Sequence, residues 1–352
     1  MTSSETRDEA VLGAVRERRE LVNDAIPAEL PIQRPERLYE ASRYLLDAGG
    51  KRLRPAVLLT TAEALADVEP LSTDYREFPT LHDDADDTID IMDAAVSVEV
   101  IQSFTLIHDD IMDDDDLRRG VPAVHREYDL ETAILAGDTL YSKAFEIMLE
   151  TGAEPDRLVD ALDVLATTCT KICEGQSLDV TFEQRDDVSP EEYLEMVEQK
   201  TAVLYAASAC LPAILLGADD ETVDALYGYG LDIGRAFQIH DDVLDLTVPS
   251  EKLGKQRGSD LVENKQTLIT VHAREQGVDV ENLVDTDDVD AVTEAEIDDA
   301  VARLETVGSI DYANDRAREL VEQGKARLEV VPDNEARMLL EELADYLIER
   351  GY

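Results

Sequence analysis

Residues 98–113 read VEVIQSFTLIHDDIMD, an apolar run that ends in a cluster of carboxylates. A near-repeat, GRAFQIHDDVLD, occupies residues 234–245. In both copies the first and last Asp of the D-D-x-x-D core are four residues apart, so a helix places them on one face. The apolar residues before each cluster recur at helical spacing. The two segments therefore predict two buried helices, each of which ends in an acidic cluster.

Helical spacing continues through the rest of the chain, and the alternation typical of strands is nearly absent. We expect helices near residues 5–24, 35–47, 52–66, 93–113, 131–150, 156–173, 190–216, 220–246, 266–276, 294–306, 311–329 and 334–349. Capping boxes begin two of them, at Ser189–Glu192 and at Thr293–Glu296. Two acidic stretches, 67–92 and 278–292, read as solvated surface insertions. The sequence thus predicts an all-α protein with one domain over residues 1–352, a single large helical bundle around a central cavity.

The charge of the chain limits its partners. The formal net charge is −49 and the sequence pI is about 4.2. The phosphates of a nucleic acid and an anionic membrane surface would both be repelled. The acid is spread along the whole chain, and only eight of the 32 basic residues are Lys. Such a surface is typical of a protein from a halophile, because molar salt screens its self-repulsion within about 3 Å.

Cysteine use and hydropathy bear on the compartment. The three cysteines, Cys169, Cys173 and Cys210, have no third ligand nearby for a metal site, and we interpret them as free core thiols in a reducing compartment. The N-terminus lacks a basic start followed by an apolar run. The most apolar stretch, 202–216, is too short to span a bilayer. We therefore expect a cytoplasmic protein with no membrane span.

The two acidic clusters need to be separated from chance. Asp makes up 44 of the 352 residues, so composition alone would produce a D-D-x-x-D pattern about 0.7 times. Residues 83–90 indeed hold two further copies in a purely polar setting. The copies at 109 and 241 instead follow apolar runs, where carboxylates are costly unless a cation compensates them. Mg²⁺ suits such a site, because it binds one or two carboxylates together with water and phosphate oxygens.

Basic and glycine-rich motifs complete the pattern. Lys51 and Arg54 lie three apart at a helix start, and Arg118 and Arg119 follow the first acidic cluster. Basic pairs beside apolar runs are typical of phosphate binding. No phosphate loop of a nucleotide-binding protein is present. Gly228, Gly230 and Gly234 have the wrong spacing for a dinucleotide site and are predicted to be helix-packing contacts.

Five ordered motifs together resemble the short-chain trans-isoprenyl diphosphate synthases of the polyprenyl synthetase family, over roughly residues 35–350. They are GGKRLRP from 49, DDIMD with RRG in 109–120, KT at 200, FQIHDDVLD from 237, and GK with NK in 254–265. The resemblance implies the isoprenoid synthase fold and a prenyltransferase that joins isopentenyl diphosphate to an allylic diphosphate. The acidic insertion at 67–92, and Asn264 where a glycine is common, depart from the family pattern.

The resemblance also implies roles for individual residues. Metal binding falls to Asp109, Asp110, Asp113, Asp241, Asp242 and Asp245, which would bridge Mg²⁺ ions, three per site, to the allylic diphosphate, with Mn²⁺ as an alternative. Isopentenyl diphosphate binding falls to Lys51, Arg54, Gln102 and Arg119. The allylic diphosphate and the carbocation fall to Arg118, Lys200, Thr201, Gln238, Lys255 and Lys265. His108 and His240 are expected to be structural neighbours, because Mg²⁺ prefers oxygen.

Product length is predicted from the residues before the first acidic cluster. In the resembled family, bulky residues there act as a floor for the growing chain. Phe104 followed by the small Thr105 resembles an archaeal-type geranylgeranyl diphosphate synthase, with a farnesyl diphosphate synthase as the alternative. On a helical wheel Thr105 lies under Asp109 and Phe104 points away, so core packing is the other interpretation of Phe104.

Two other classes of protein remain as alternatives. A class I terpene cyclase would share the first acidic cluster but would usually lack the second one and the basic pair at 51 and 54. A non-catalytic subunit of a heteromeric synthase would typically have eroded acidic clusters. The expected partners are small-molecule diphosphates and, by the resemblance, a second copy of the chain in a homodimer.

Overall fold

The computed structural model describes residues 3–81, 87–182, 184–185, 187–250, 256–286, 288–289 and 291–349. Its α-helices are α1 Ser3–Glu29, α2 Glu36–Asp47, α3 Leu53–Ala66, α4 Ile91–Met112, α5 Val124–Glu127, α6 Leu130–Leu149, α7 Pro155–Phe182, α8 Pro190–Val197, α9 Val203–Leu216, α10 Asp220–Thr247, α11 Ser259–Val262, α12 Leu268–Glu275, α13 Glu294–Thr306, α14 Ser309–Arg327 and α15 Glu335–Glu349. One turn of π-helix, Glu198–Ala202, joins α8 to α9 and is called the π-turn below. Two short 3₁₀ helices occupy Val280–Asn282 and Leu328–Val330. The all-α prediction is confirmed.

The strands in the described part of the chain form two very short antiparallel pairs. In the first pair β1, Phe78–Pro79, lies beside β2, Thr88–Ile89. In the second pair β3, Leu117–Arg118, lies beside β4, Val121–Pro122. Each pair is an isolated local contact within the helical framework, because two residues per strand are too few to build a sheet.

The helices group into two compact units. One comprises Met1–Cys169, Ala207–Tyr227 and Leu328–Glu342, and the other comprises Thr170–Ala206, Gly228–Arg327 and Leu343–Tyr352. The prediction of a single domain stays a prediction.

In the first unit, α4 is the central helix. Every residue from Ile91 to Ile101 is buried, and α3 and α6 pack against it. The contact between α4 and α6 is close, because a Cβ atom on Gly137 would lie 2.3 Å from the ring of His108. The apolar run before the first acidic cluster is therefore a buried helix, as the sequence predicts.

In the second unit, α10 carries the other acidic cluster. The predicted packing role of its glycines is confirmed at two positions, since Cβ atoms on Gly230 and Gly234 would collide with the backbone of residues 202–206. Both predicted capping boxes are also present. Ser189 Oγ accepts from the amide of Glu192 at 3.2 Å, and Thr293 makes the same contact with Glu296 at 3.3 Å.

The insertion predicted at 67–92 is more ordered than its composition suggests. Tyr75 and Phe78 are buried and stacked, with ring centroids 6.0 Å apart. Arg76 binds Glu29 at 2.8 Å and two aspartates at the start of α4. The expectation of a solvated loop was wrong for these residues. The expectation rested on the acidic composition of the stretch, whereas burial of its two aromatic side chains anchors it to the fold. Residues 82–86, with most of the two extra acidic copies, lie outside the described residues.

The second predicted insertion, 278–292, is also partly anchored. It contains the 3₁₀ turn Val280–Asn282, and the side chains of Val280, Leu283 and Val292 are buried. The remaining described residues of the stretch are mainly polar. Asp287 and Asp290 lie outside the described residues.

Two helical stretches have the length and composition of a membrane span, namely Ile91–Met112 and Pro190–Leu216. Their most apolar windows are 78% and 83% buried inside the protein, which is the behaviour of core helices. Cys169 and Cys210 are buried, as predicted. Cys173 is exposed, so the expectation of a core thiol was wrong there.

Candidate active site

The second acidic cluster lies at the C-terminal end of α10, and protein groups hold two of its carboxylates. Asp242 accepts hydrogen bonds from Tyr193 Oη at 2.6 Å and from Gln238 Nε2 at 2.9 Å. Asp245 accepts from Ser259 Oγ at 3.0 Å and from the amide of residue 260 at 3.2 Å, which ties α11 to the end of α10. Burial raises the pKa of Asp242 well above its ordinary value, and the nearby charge of residue 260 adds to the effect. Asp241 is half-buried.

A pocket of about 130 Å³ opens beside this cluster. It is lined by four residues that are widely separated in sequence and that we assigned to the allylic diphosphate and carbocation, namely Lys200, Thr201, Gln238 and Lys265. Its other lining residues are Asp179, Tyr193, Met196, Val197, Asp242, Asp260, Gln266 and Thr267. The two ammonium groups are donors suited to a phosphate or diphosphate group.

The cations of the pocket are balanced by carboxylates. Lys200 Nζ lies 2.5 Å from Oδ2 of Asp179, and Lys265 Nζ lies 2.9 Å from Glu263. Thr201 Oγ1 donates to Gln238 Oε1 at 3.1 Å, which links the π-turn to α10. These pairs fix the ammonium groups of both lysines at the pocket wall.

Sequence reasoning missed several residues of this pocket. Asp179, Tyr193 and Asp260 line it, but no local motif marked them as partners of Lys200 or of the acidic cluster. Gln176, one turn before Asp179 on α7, is buried, and neither polar atom of its amide has a hydrogen-bond partner. A buried amide without partners is costly and is a common feature of binding sites.

The first acidic cluster ends α4, with Asp113 as the residue after the last helical turn. Asp110 is fully buried and accepts from Nε of Arg118 at 2.6 Å, while its Oδ2 atom is buried without a partner. Burial raises the pKa of Asp110 to about 6, although the guanidinium of Arg118 opposes that shift. Asp109 is half-buried and Asp113 is exposed. Of the predicted allylic residues, Arg118 is therefore held at the first cluster.

The predicted R-R-G motif is a β-hairpin. Arg118 ends β3, and the turn consists of Arg119 and Gly120, both with positive φ, 54° and 77°. Two such residues form the turn that matches the twist of a tight hairpin. The turn places the guanidinium of Arg119 against Gly50, where a Cβ atom would lie 2.9 Å from it. Arg119 also donates to the carbonyl of Leu45 at 2.9 Å.

The two basic motifs thus meet at one turn, and their assignment to isopentenyl diphosphate stays a prediction. Lys51 is exposed there and Arg54 is half-buried in the first turn of α3. Glu99, a buried residue of α4 that sequence reasoning missed, forms ion pairs with both Arg52 and Arg119. Arg52 itself is buried, and its backbone has a left-handed conformation with φ 52°. Within the G-G-K-R motif it therefore has a structural role. A carboxylate in an apolar helix was the available signal for Glu99.

The remaining assigned residues lie on α4. Gln102 and Thr105 are half-buried, on the same face as Asp109. Phe104 is 8% exposed, and its ring meets the rings of His108 and Tyr141 edge to face, with centroids 5.1 Å and 5.4 Å away. Phe104 therefore packs toward α6, which is the core-packing alternative. Lys255 lies outside the described residues.

The acidic clusters do not form a complete metal-binding cage, but their oxygen donors suit a hard divalent cation. Among the described residues, no group of three or more His, Cys, Asp or Glu side chains is arranged to hold a metal ion. The donors at both helix ends are carboxylate oxygens, and the unpaired Oδ2 of Asp110 is an uncompensated acceptor in the interior. Such an arrangement fits Mg²⁺, which takes few protein ligands and completes its shell with water and phosphate oxygens.

Comparison with known proteins gives consistent matches along the chain. Residues 35–303 match the polyprenyl synthetase family. The sequence is 71% identical over 347 residues to a geranylfarnesyl diphosphate synthase of Natronomonas pharaonis, covering 99% of this chain and 100% of that protein. The solved geranylgeranyl pyrophosphate synthetase of Geoglobus acetivorans is 45% identical, with a TM-score of 0.83 over 96% of this chain and 99% of that one. A polyprenyl synthase of Caulobacter crescentus, complexed with calcium and isoprenyl diphosphate, is 31% identical, with a TM-score of 0.80 over 97% and 98% of the two chains.

Proposed function

Because the chain belongs to the polyprenyl synthetase family and is a prenyl-transferring enzyme with the all-α isoprenoid synthase fold, we propose that it condenses isopentenyl diphosphate with dimethylallyl, geranyl and farnesyl diphosphates. Geranylgeranyl diphosphate is the proposed main product. The observation that carries the proposal is the pocket where Lys200, Thr201, Gln238 and Lys265 converge beside the second acidic cluster.

Metal binding divides unequally among the six aspartates. Asp110, Asp242 and Asp245 are buried and are engaged by arginine, tyrosine, glutamine and serine side chains. Asp109, Asp113 and Asp241 are more accessible, and we assign them to the cations. The Caulobacter structure with calcium and isoprenyl diphosphate supports a divalent cation in the family. Mg²⁺ is the proposed ion, three per active site, with Mn²⁺ as a substitute.

A bound divalent cation supplies charge neutralisation for the departing diphosphate. The chain's own residues supply the rest. Lys200 and Lys265 bind diphosphate oxygens as point charges, with Lys255 assigned to the same task. Thr201 and Gln238 present oxygen dipoles toward the developing allylic cation. Arg118, held by Asp110, adds a fixed positive charge at the first cluster. These fixed groups stabilise charge separation without reorganising during the reaction.

Isopentenyl diphosphate is assigned to the turn where the two basic motifs meet. Arg119 is fixed there by the carbonyl groups of residues 45 and 49 and by Glu99, so its remaining N–H donors have a defined direction. Lys51 and Arg54 flank the same turn, and Gln102 lies on the α4 face that carries Asp109. The double bond attacks the allylic cation, and the proton then leaves to the released diphosphate. No side-chain nucleophile is required.

Product length is proposed from the face of α4 below Asp109. Thr105, a small residue, lies one helical turn below that carboxylate, while Phe104 packs toward α6. A small residue at this position favours a product longer than fifteen carbons. The second candidate is geranylfarnesyl diphosphate, with twenty-five carbons, because the Natronomonas relative of that name is 71% identical.

The assembly and the setting are also proposals. Helix α6 exposes Leu130, Ile134, Leu135, Tyr141 and Leu149, each at least 38% accessible. An apolar face of this extent favours burial against a second copy in a homodimer. The net charge of −49 favours a cytoplasm rich in salt.

The test is a condensation assay with labelled isopentenyl diphosphate and each allylic primer, in Mg²⁺ and concentrated KCl, resolved by product length. A dominant twenty-carbon product supports the proposal. A twenty-five-carbon product supports the second candidate, and a fifteen-carbon product keeps the chemistry but overturns the length argument. A folded protein that condenses none of the primers would sink the proposal. Addition of a chelator is the control, and it should stop turnover.

A further inference from the structure

Lys200 and Thr201 lie on the π-turn Glu198–Ala202, which interrupts the helix that the sequence predicts as continuous from 190 to 216. A π-turn contains one residue more than an α-helical turn and is less stable in isolation, so surrounding structure must hold it. Of the pocket residues, the two contributed by this turn differ in role. Lys200 contacts Asp179, and Thr201 contacts Gln238.

Helix α7 approaches the π-turn at Gly175. A Cβ atom on Gly175 would lie 2.3 Å from the backbone nitrogen of Lys200 and 2.7 Å from the carbonyl carbon of Gln199. Both atoms belong to the main chain, so no side-chain rotation can relieve the overlap. Any larger residue at 175 must move α7 or the backbone of Lys200. Asp179, the partner of Lys200, lies four residues further along the same helix face.

Helix α10 approaches the same segment at two further glycines. A Cβ atom on Gly234 would lie 2.6 Å from Cα of Ala202, and one on Gly230 would lie 2.4 Å from Cα of Ala206. Residues 230, 234 and 238 are spaced four apart and share one helix face. The face of α10 that carries Gly230 and Gly234 therefore also carries Gln238, which accepts the hydrogen bond from Thr201.

The backbone conformation does not explain these glycines. None of the three has a positive φ, and alanine is the better helix former at such positions. Close approach is the remaining reason. On the same helix, the three atoms nearest to a Cβ on Gly228 all belong to the flexible side chain of Arg327.

We infer that Gly175 and Gly234 are positioning residues that clamp the π-turn and thereby aim Lys200 and Thr201 into the pocket, while Gly230 holds the first turns of α9 that follow it. The inference rests on the proposed role of Lys200 and Thr201 at the allylic diphosphate. The glycines touch no substrate, and they act only through the backbone of residues 199–206. A displacement of about 1 Å at a catalytic group can cost about a hundredfold in rate.

The experiment compares Gly175→Ala and Gly234→Ala with the matched control Gly228→Ala, each in the full chain. Helical circular dichroism and a cooperative melt establish folding. We expect kcat for condensation to fall by about a hundredfold in both test variants, while KM for isopentenyl diphosphate stays within about threefold. The control should retain wild-type kcat. A merely structural role would lower the melting temperature without this split between kcat and KM.

Folded Gly175→Ala and Gly234→Ala proteins with wild-type kcat would overturn the inference. If Gly234→Ala does not fold, Gly175→Ala decides, because its overlap with the backbone of Lys200 tests the same π-turn from another helix. A folded Gly175→Ala protein whose kcat falls at least tenfold while KM stays within about threefold supports the clamp, and one with wild-type kcat overturns it. If the wild-type protein condenses no primer, the proposed function fails by itself. The clamp is then judged by calorimetric binding of inorganic pyrophosphate with Mg²⁺, which Gly175→Ala should weaken and Gly228→Ala should not.

Discussion

The hydroxyl group of Tyr193 donates a hydrogen bond of 2.6 Å to Oδ2 of Asp242, across 49 residues of sequence. Tyr193 is 1% exposed and Asp242 is 6% exposed, so this hydrogen bond is largely shielded from bulk solvent. Gln238 provides the second hydrogen bond, at Oδ1. The carboxylate is thereby oriented from both sides, and α8 is fixed to the end of α10 that carries the second acidic cluster.

Replacing Tyr193 by phenylalanine should damage both stability and activity. The change leaves one oxygen of Asp242 buried without a donor, which costs about 1–3 kcal/mol. We expect the free energy of unfolding to fall by that amount in denaturant titrations, and kcat to fall because the pocket wall loosens. Tyr312→Phe is the control, since its ring only stacks on His272. Equal stabilities of the two variants would contradict the assigned importance of the hydrogen bond.

The first cluster should separate metal binding from structure. Asp109→Asn should lower kcat by about 10²–10³-fold, because the proposed ligand of the cation that neutralises the leaving group is lost. Its free energy of unfolding should change by less than about 0.5 kcal/mol. Asp110→Asn should instead destabilise the fold by about 1–3 kcal/mol, because the buried partner of Arg118 loses its charge. Steady-state kinetics and urea titrations check both, and a reversed pattern would show that Asp110 is the ligand.

Much of the helical framework was predictable, because the apolar periodicity of α4 and α10 and the capping box at Ser189 are local signals. The π-turn at 198–202 was not, since nothing in the residues of a continuous apolar run marks an extra residue. The two glycines that approach it, Gly175 and Gly234, are distant in sequence, so no local pattern could reveal that contact.

The site shows the same division between local and distant signals. Both acidic clusters and the basic pairs were found from motif context. Asp179 and Glu99 were missed because each binds a cation from a distant segment, and only the packing of helices brings them together. Arg118 and Asp110 are eight residues apart, but Arg118 lies in a hairpin whose strands are too short for a periodic signal.

The ion pair between Arg18 and Glu63 should be a major source of stability in the first unit. Both side chains are 1% exposed, and Glu63 also accepts from Tyr75 Oη at 2.5 Å and from the amide of Leu71 at 2.7 Å. Removing one member of a buried pair costs about 3–5 kcal/mol. We therefore expect Arg18→Met to lower the free energy of unfolding by that amount. Arg318→Met, at an exposed pair, should change it by less than about 1 kcal/mol.

The acidic surface predicts a strong dependence on salt. With a net charge of −49, repulsion between surface carboxylates extends over about 10 Å at 0.1 M salt and about 3 Å at 1 M. The melting temperature should rise continuously as KCl increases from 0.1 M toward 3 M. Sucrose at matched osmolality is the control, and it should give a smaller rise. A melting temperature that is independent of KCl would exclude the interpretation of a halophilic surface.

Thr105 should control product length, because it lies about 6 Å along the helix axis from Asp109, on the same face. A phenyl ring at this position would close the path that the growing chain follows below the carboxylates. We expect Thr105→Phe to shorten the main product by at least one five-carbon unit, while KM for isopentenyl diphosphate changes little. The measurement is chromatography of labelled products. Thr306→Phe is the matched control, since Thr306 also bonds a carbonyl of its own helix but is exposed on α13. An unchanged product from folded Thr105→Phe would move the floor of the cavity to another position, with Phe104 and its contact to Tyr141 as the next residues to test.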